Sequence, residues 1–178
     1  MEEKVKAPFW KPALTYGAIV GFVSILFGVI LYIMNLSTKG WASWGSILVS
    51  LAVLIYCLVA YRKEYLGGFA SYGQIVLMAV MIGVVSSVIA TIYTYILYGV
   101  IDPDLADKLR LVAEEKMINN PRLPESMHEE MIERLEKNFE LKRMLIMGMI
   151  LGPVLSAIVG LIAGAFIKRE ENPANAAV

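Results

Sequence analysis

The chain has 178 residues, of which 58% are hydrophobic and 18% charged, with 16 Lys and Arg balanced by 16 Asp and Glu. Soluble domains sit nearer about 45–50% apolar, and here the apolar residues come in long blocks, which points to an integral membrane protein. The zero net charge excludes a basic nucleic-acid binder, the one Cys excludes an internal disulfide or multi-Cys zinc site, and the one His excludes a His-cluster metal centre.

The first uncharged block is 13–34, about 33 Å as a helix at ~1.5 Å per residue. Lys4, Lys6 and Lys11 precede it, as in a signal peptide. Its apolar run exceeds the usual h-region of about 7–15 residues and no A-x-A-like site follows, so an uncleaved first span is expected. Gly17, Gly21, Ser24 and Gly28 lay a small-residue stripe along it. The second span, 44–61, covers about 27 Å, just enough for a bilayer core of about 30 Å. It contains Cys57, which has no charged neighbour to activate it and reads as an inert packing thiol.

Gly67 and Gly68 suit a tight turn after this span. Ser71 and Gln74 have the spacing of a capping box at the start of the third span, 72–101. That span is about 45 Å long if wholly helical and must tilt or protrude. It offers a small-residue face at Gly83, Ser87, Ala90 and Thr94, and a candidate polar path at Ser86, Ser87, Thr91 and Thr94. Ser and Thr in spans usually bond their own helix backbone, which is the competing reading. Tyr93, Tyr95 and Tyr98 crowd its outer end, where an interfacial aromatic belt explains them by position and a ligand pocket is the alternative.

Residues 102–143 are polar and predict a helical hairpin outside the membrane. Asp102 is placed to cap its first helix, Pro103 to occupy the first helical position, and Asp104 to complement the helix dipole. Leu105, Leu109, Val112 and Lys116 or Met117 fall on one face. The prolines within 119–124 break the helix; Ser126 and Glu129 then match a capping box ahead of Met131, Leu135 and Phe139. This second helix is expected to run on past Lys142 into the fourth span, 144–167. The acidic group Asp102, Asp104, Asp107, Glu114 and Glu115 lacks the ligand alternation of a calcium loop, and no metal or cofactor is expected.

The fourth span is about 36 Å long. Gly148, Gly152, Ser156, Gly160 and Gly164 recur every fourth residue, a ridge that lets helices approach closely, either within the bundle or between copies of the chain. Pro153 removes a backbone hydrogen bond to Met149 and predicts a kink.

Four spans put both termini on one side. Lys4, Lys6, Lys11, Arg62, Lys63, Lys168 and Arg169 lie there, against Lys39 in the short loop opposite. The positive-inside tendency assigns that side to the cytoplasm and 102–143 to the outside. None of the four spans contains Asp, Glu, Lys or Arg. Proton-coupled transport normally needs such a group, and a four-helix multidrug exporter needs a carboxylate in its first span. His128 is expected exposed on the hairpin, and no nucleophile, base and orienter assemble, so an enzyme is not expected.

The stretch from Gly67 to Gln74, including Gly73, the end of the third span from Ile92 to Tyr98, and Ile101 with Asp102, Pro103 and Asp104 are similar to one family. The chain resembles the bacterial membrane family called domain of unknown function 4199 over roughly Trp10 to Lys168. The resemblance implies four spans, a long loop between spans three and four, and an inner-membrane location; it implies no activity and no functional residues.

The expected architecture is therefore all-α: one membrane domain over 1–178, a four-helix transmembrane bundle with an extramembrane helical hairpin. The expected function is a non-enzymatic accessory or scaffold protein of the bacterial inner membrane. It would meet the lipid bilayer and bind an envelope protein, or a second copy of itself, through the hairpin or a span face. A small transport or permeation subunit with a Ser/Thr-lined path is the alternative.

Overall fold

The computed structural model describes residues 9–121 and 123–169, so Lys4 and Lys6 lie outside the described residues. The chain is helical: α1 (Trp10–Ile33), α2 (Gly40–Tyr65), α3 (Tyr72–Ile96), α4 (Asp104–Ile118), α5 (His128–Phe139) and α6 (Leu141–Ile167). A π-helical turn, Leu97–Ile101, extends α3, and a 3-10 turn, Glu125–Met127, leads into α5. Helices α1, α2, α3 with its π turn, and α6 are each long and apolar enough to cross a membrane. They correspond to the four expected spans, with α2 starting four residues before the expected 44 and ending four after 61.

Local chemistry sets the helix ends. α1 stops in a Schellman motif: Asn35 takes the left-handed conformation (φ 54°), Leu36 N–H donates to the Leu31 carbonyl at 2.9 Å and Asn35 N–H to that of Tyr32 at 3.0 Å. α2 ends at Gly67 and Gly68, both at positive φ (61° and 93°), as their lack of Cβ permits. The Ser71–Gln74 capping box forms in both directions, at 3.3 and 2.9 Å.

Three expectations about the hairpin fail. Asp102 does not cap α4: Pro103 forces it into an extended conformation, and its carboxylate turns to Tyr32 and Lys108 instead. Ser126 does not cap α5, because the 3-10 turn carries the chain past it and Met127 becomes the boundary residue. The second hairpin helix does not continue into the fourth span, since Glu140 (φ −60°, ψ 130°) is extended and separates α5 from α6. α6 itself runs unbroken through Pro153.

α3 is the centre of the bundle. Its largest interface is with α6 and its next with α1, while α2 lies against α1 and α6. Small residues make both α3 interfaces. A Cβ on Gly152 would lie 2.7 Å from that of Ser87, and one on Gly160 would lie 2.6 Å from that of Ala79. A Cβ on Gly83 would meet Ser156 Oγ at 2.5 Å, and Gly164 lies under the Tyr72 ring. On the other side Gly17 meets Val85 (2.5 Å), Gly21 meets Ile89 (3.1 Å) and Gly28 meets Tyr93 (3.6 Å). The α6 ridge thus serves packing within the chain, except at Gly148, where the added Cβ would find nothing within 4 Å.

Burial is uneven along the bundle axis. The core cluster joins Ala13, Tyr16 and Val20 of α1, Leu54, Cys57, Leu58 and Tyr61 of α2, Ile75, Met78 and Ile82 of α3, and Ala163 and Ile167 of α6. All of these lie in the half nearer the chain termini. Toward the hairpin α6 is less buried, Gly160 being the first buried residue along it, while it keeps its contact with α3 at Gly152–Ser87 and Leu141–Gly99.

The terminal end is also tied by polar contacts. Tyr16 Oη donates to Glu64 at 2.7 Å, Arg62 Nη1 donates to the Ile167 carbonyl at 2.7 Å, and Tyr72 Oη donates to the Leu161 carbonyl at 3.0 Å. A single antiparallel bridge pairs Ala70 with Arg169 through two backbone hydrogen bonds, at 2.9 and 3.0 Å.

Candidate functional site

Two regions have the shape of a site. The first lies between α4 and α5. Amphipathic α5 places Met131, Leu135 and Phe139 toward α4, yet none of its residues is buried. On α4 only Leu105 and Met117 are buried. The two apolar stripes therefore meet without closing, and leave a groove of about 580 Å³. Three methionines, Met117, Met127 and Met131, line it with Leu123 and Leu135, and Lys116, Glu130 and Arg134 also face it.

Arg110 holds the hairpin together. It reaches Glu136 of α5 at 2.9 Å and, within α4, Glu114 at 3.2 Å and Asp107 at 3.6 Å. On α5 the pairs Arg134–Glu130 and Lys137–Glu133 stand at 2.7 and 2.6 Å, and Lys137 holds the Glu133 carboxyl below the ordinary carboxylate range. Three of the five acidic residues are drawn into ion pairs: Asp102 lies 3.4 Å from Lys108, and Asp107 and Glu114 face Arg110. Among the described residues no three His, Cys, Asp or Glu side chains gather as a metal would need.

α4 does not stand away from the bundle. Its first turn, at Leu105 and Lys108, shares a surface hollow of about 250 Å³ with Tyr32, Asn35, Ser37 and Thr38. At its other end, the Lys116 ammonium lies 3.3 Å from where a Gly40 Cβ would sit. Leu105 and Lys116 are about 16 Å apart along a helix, yet both reach the α1–α2 loop or its edge. α4 therefore lies across the ends of α1 and α2.

The second region lies between the spanning helices and is partly open, since Gly148 and Leu155 of its lining are exposed. At mid-height all four spanning helices line a cavity of about 180 Å³: Val20 and Ser24 from α1, Ser50 and Leu54 from α2, Ser86, Ser87 and Ala90 from α3, and Gly148, Gly152, Leu155 and Ser156 from α6. Nearer the hairpin lies another of about 330 Å³, lined by Gly28, Ser37, Ser43, Ser46, Tyr93, Thr94 and Tyr98 among others.

The expected polar path is split by this geometry. Ser86 and Ser87 face the first cavity and Thr94 the second, while Thr91 lines neither and its hydroxyl is buried without a partner among the described residues. Ser86, Ser87 and Thr94 each donate to their own helix, at 3.2, 2.9 and 2.9 Å. Residues not singled out from the sequence complete the lining: Ser43, Ser46 and Ser50 recur on one face of α2, a signal that was present in their spacing of three and four. The Gly148 placed in the packing ridge is a cavity wall instead.

Of the other singled-out residues, Gly73 faces open space and Gln74 completes the cap. Cys57 is fully buried in the core. His128 departs from its expected exposure: its Nε2 is shielded and has no hydrogen-bond partner among the described residues.

Four apolar spanning helices around a small-residue core define a multi-pass helical membrane protein. The family model described as "Protein of unknown function (DUF4199)" matches residues 15–169, and the chain belongs to that family. No curated protein and no solved structure matches the chain.

Proposed function

We propose that this is a non-enzymatic accessory protein of the bacterial inner membrane, with both termini in the cytoplasm and the hairpin in the periplasm. The hairpin groove receives an amphipathic helix from another envelope protein. The observation that carries this reading is the methionine-lined groove between α4 and α5. Methionines adapt to the apolar face of a docked helix, and Lys116, Glu130 and Arg134 offer charged partners to its polar edge. Arg62, Lys63, Lys168 and Arg169 at the terminal end support the cytoplasmic assignment. The permeation alternative has a cavity at Ser86 and Ser87 but meets a filled core between that cavity and the terminal end.

In-cell photocrosslinking from Met131 and Leu135, with a lipid-facing probe at Leu48 as control, tests the reading. An identified envelope protein captured at both groove positions, and lost when Met131→Glu is introduced alongside the Leu135 probe, is expected. Self-adducts alone, or none, would overturn it.

A further inference from the structure

The two partly open cavities between the spanning helices are stacked. Their lining steps by one helical turn on three helices: Ser24 to Gly28 on α1, Ser50 to Ser46 on α2, Ala90 to Thr94 on α3. Ser37 belongs both to the upper cavity and to the surface hollow beside Asp102 and Lys108, so the series reaches the hairpin face. At the other end Val20 and Leu54 form the floor, and both belong to the buried core that fills the terminal half. The series is blind.

The hydrogen-bond arithmetic of the walls gives the chemistry. Ser24 lies 2.8 Å from the Val20 carbonyl, Ser50 lies 3.0 Å from that of Ser46, and their two oxygens lie 2.9 Å apart. Two hydroxyl hydrogens cannot make three bonds, and each oxygen has two lone pairs. Ser86, Ser87 and Thr94 have given their hydrogens to backbone carbonyls and present only lone pairs. Tyr93, in the upper cavity, has a buried hydroxyl with no partner among the described residues. The walls therefore combine apolar Val20, Leu31, Ile47, Leu54, Leu97 and Leu155 with several acceptors and an unused phenol donor. No charged side chain lines either cavity, so an ion entering would lose its hydration without a counter-charge.

We infer that the hairpin half of the bundle is a water-filled blind vestibule that opens on the hairpin face and admits small uncharged hydrogen-bond donors, such as amides and alcohols, while excluding ions. The upper cavity alone, at about 330 Å³, exceeds the roughly 30 Å³ that one water occupies in the liquid, and hydroxyls on several helices supply the partners that buried water needs.

The test is alkylation of the full chain in lipid nanodiscs with two reagents of the same reacting centre, neutral iodoacetamide and anionic iodoacetate. Ser46→Cys and Ser50→Cys probe the two levels from α2. Lys39→Cys in the exposed loop and Leu48→Cys on the lipid face are controls, and the parent chain reports on buried Cys57. Alkylation needs the thiolate, which forms in water and not in hydrocarbon. Iodoacetamide is expected to label both serine variants within about tenfold of the Lys39→Cys rate, and to leave Leu48→Cys and the parent unlabelled. Relative to Lys39→Cys, iodoacetate should be slower at both serine positions by at least about tenfold. Labelling of both serine variants no faster than Leu48→Cys means a dry interior and overturns the inference. Iodoacetate keeping pace with iodoacetamide overturns the exclusion of ions.

Discussion

The guanidinium of Arg62, in the last turn of α2, donates to the backbone carbonyl of Ile167, the last residue of α6, at 2.7 Å. Helix C-termini leave carbonyls without intrahelical partners, and a cation there also opposes the negative end of the helix dipole. One side chain thus satisfies α6 and fixes its exit against α2. Arg62→Ala is expected to destabilise the bundle by about 2 kcal/mol, the scale of a hydrogen bond to a charged group. Denaturation by SDS, followed by helical circular dichroism, measures it; Arg62→Lys should recover only part of the loss, because a single ammonium lacks the planar fork.

The α6 ridge makes a contrast between two glycines. A Cβ at Gly160 meets the Ala79 Cβ at 2.6 Å and the Val76 Cα at 3.3 Å, and neither of these can swing away. Gly160→Ala is expected to cost about 1–3 kcal/mol, as overpacking does. Gly148→Ala, with open space at its Cβ, should stay within about 0.5 kcal/mol of the parent. The same SDS titration on both variants checks the pair; equal effects would contradict the packing described.

Ser71 offers a local test. Its hydroxyl accepts from the Gln74 N–H, and the Gln74 side chain accepts from the Ser71 N–H. Ser71→Ala should lower stability by about 1 kcal/mol and Ser71→Asp should largely preserve it, since aspartate caps as well as serine.

One ion pair on α5 predicts a pH effect. Lys137 holds the Glu133 carboxyl below its ordinary value. A lowered folded-state pKa means that the pair's contribution is present above the unfolded value and is lost as pH falls through the folded value. α5 should therefore exchange its amides faster, relative to α6, on acidification below the carboxylate range. Glu133→Gln should remove that part of the change; because both groups are exposed, the effect is small.

The spans were legible because a charge-free block must lie in hydrocarbon wherever it packs, and Ser71 with Gln74 because a capping box is read within four residues. Elements governed by tertiary partners were not. Asp102 looked like a cap, but a Tyr32 hydroxyl and a Lys108 ammonium that no local pattern reveals compete for its carboxylate. Gly148 belongs to an unbroken fourfold ridge, yet nothing stands within 4 Å of its Cβ position although α6 meets α3 on either side, at Leu141 and Gly152, and spacing carries no information about what faces one position of a ridge. Ser43, Ser46 and Ser50 were overlooked because a serine facing a neighbouring helix and a serine facing a cavity share the same period.

The bridge between Ala70 and Arg169 pins the terminal end of the bundle. It joins the α2–α3 turn to the residues just beyond α6, so those two helix boundaries cannot separate without breaking two backbone hydrogen bonds. Beyond the core no comparable tie joins α6 to α2 among the described residues, and α6 meets the hairpin through the single extended residue Glu140. A load applied to α5 therefore enters α6 at Leu141 and is shared with α3, against which α6 packs at Leu141–Gly99, Gly152–Ser87 and Gly160–Ala79. The two helices would yield together, as one stiff pair, and the pinned end would hold them in register.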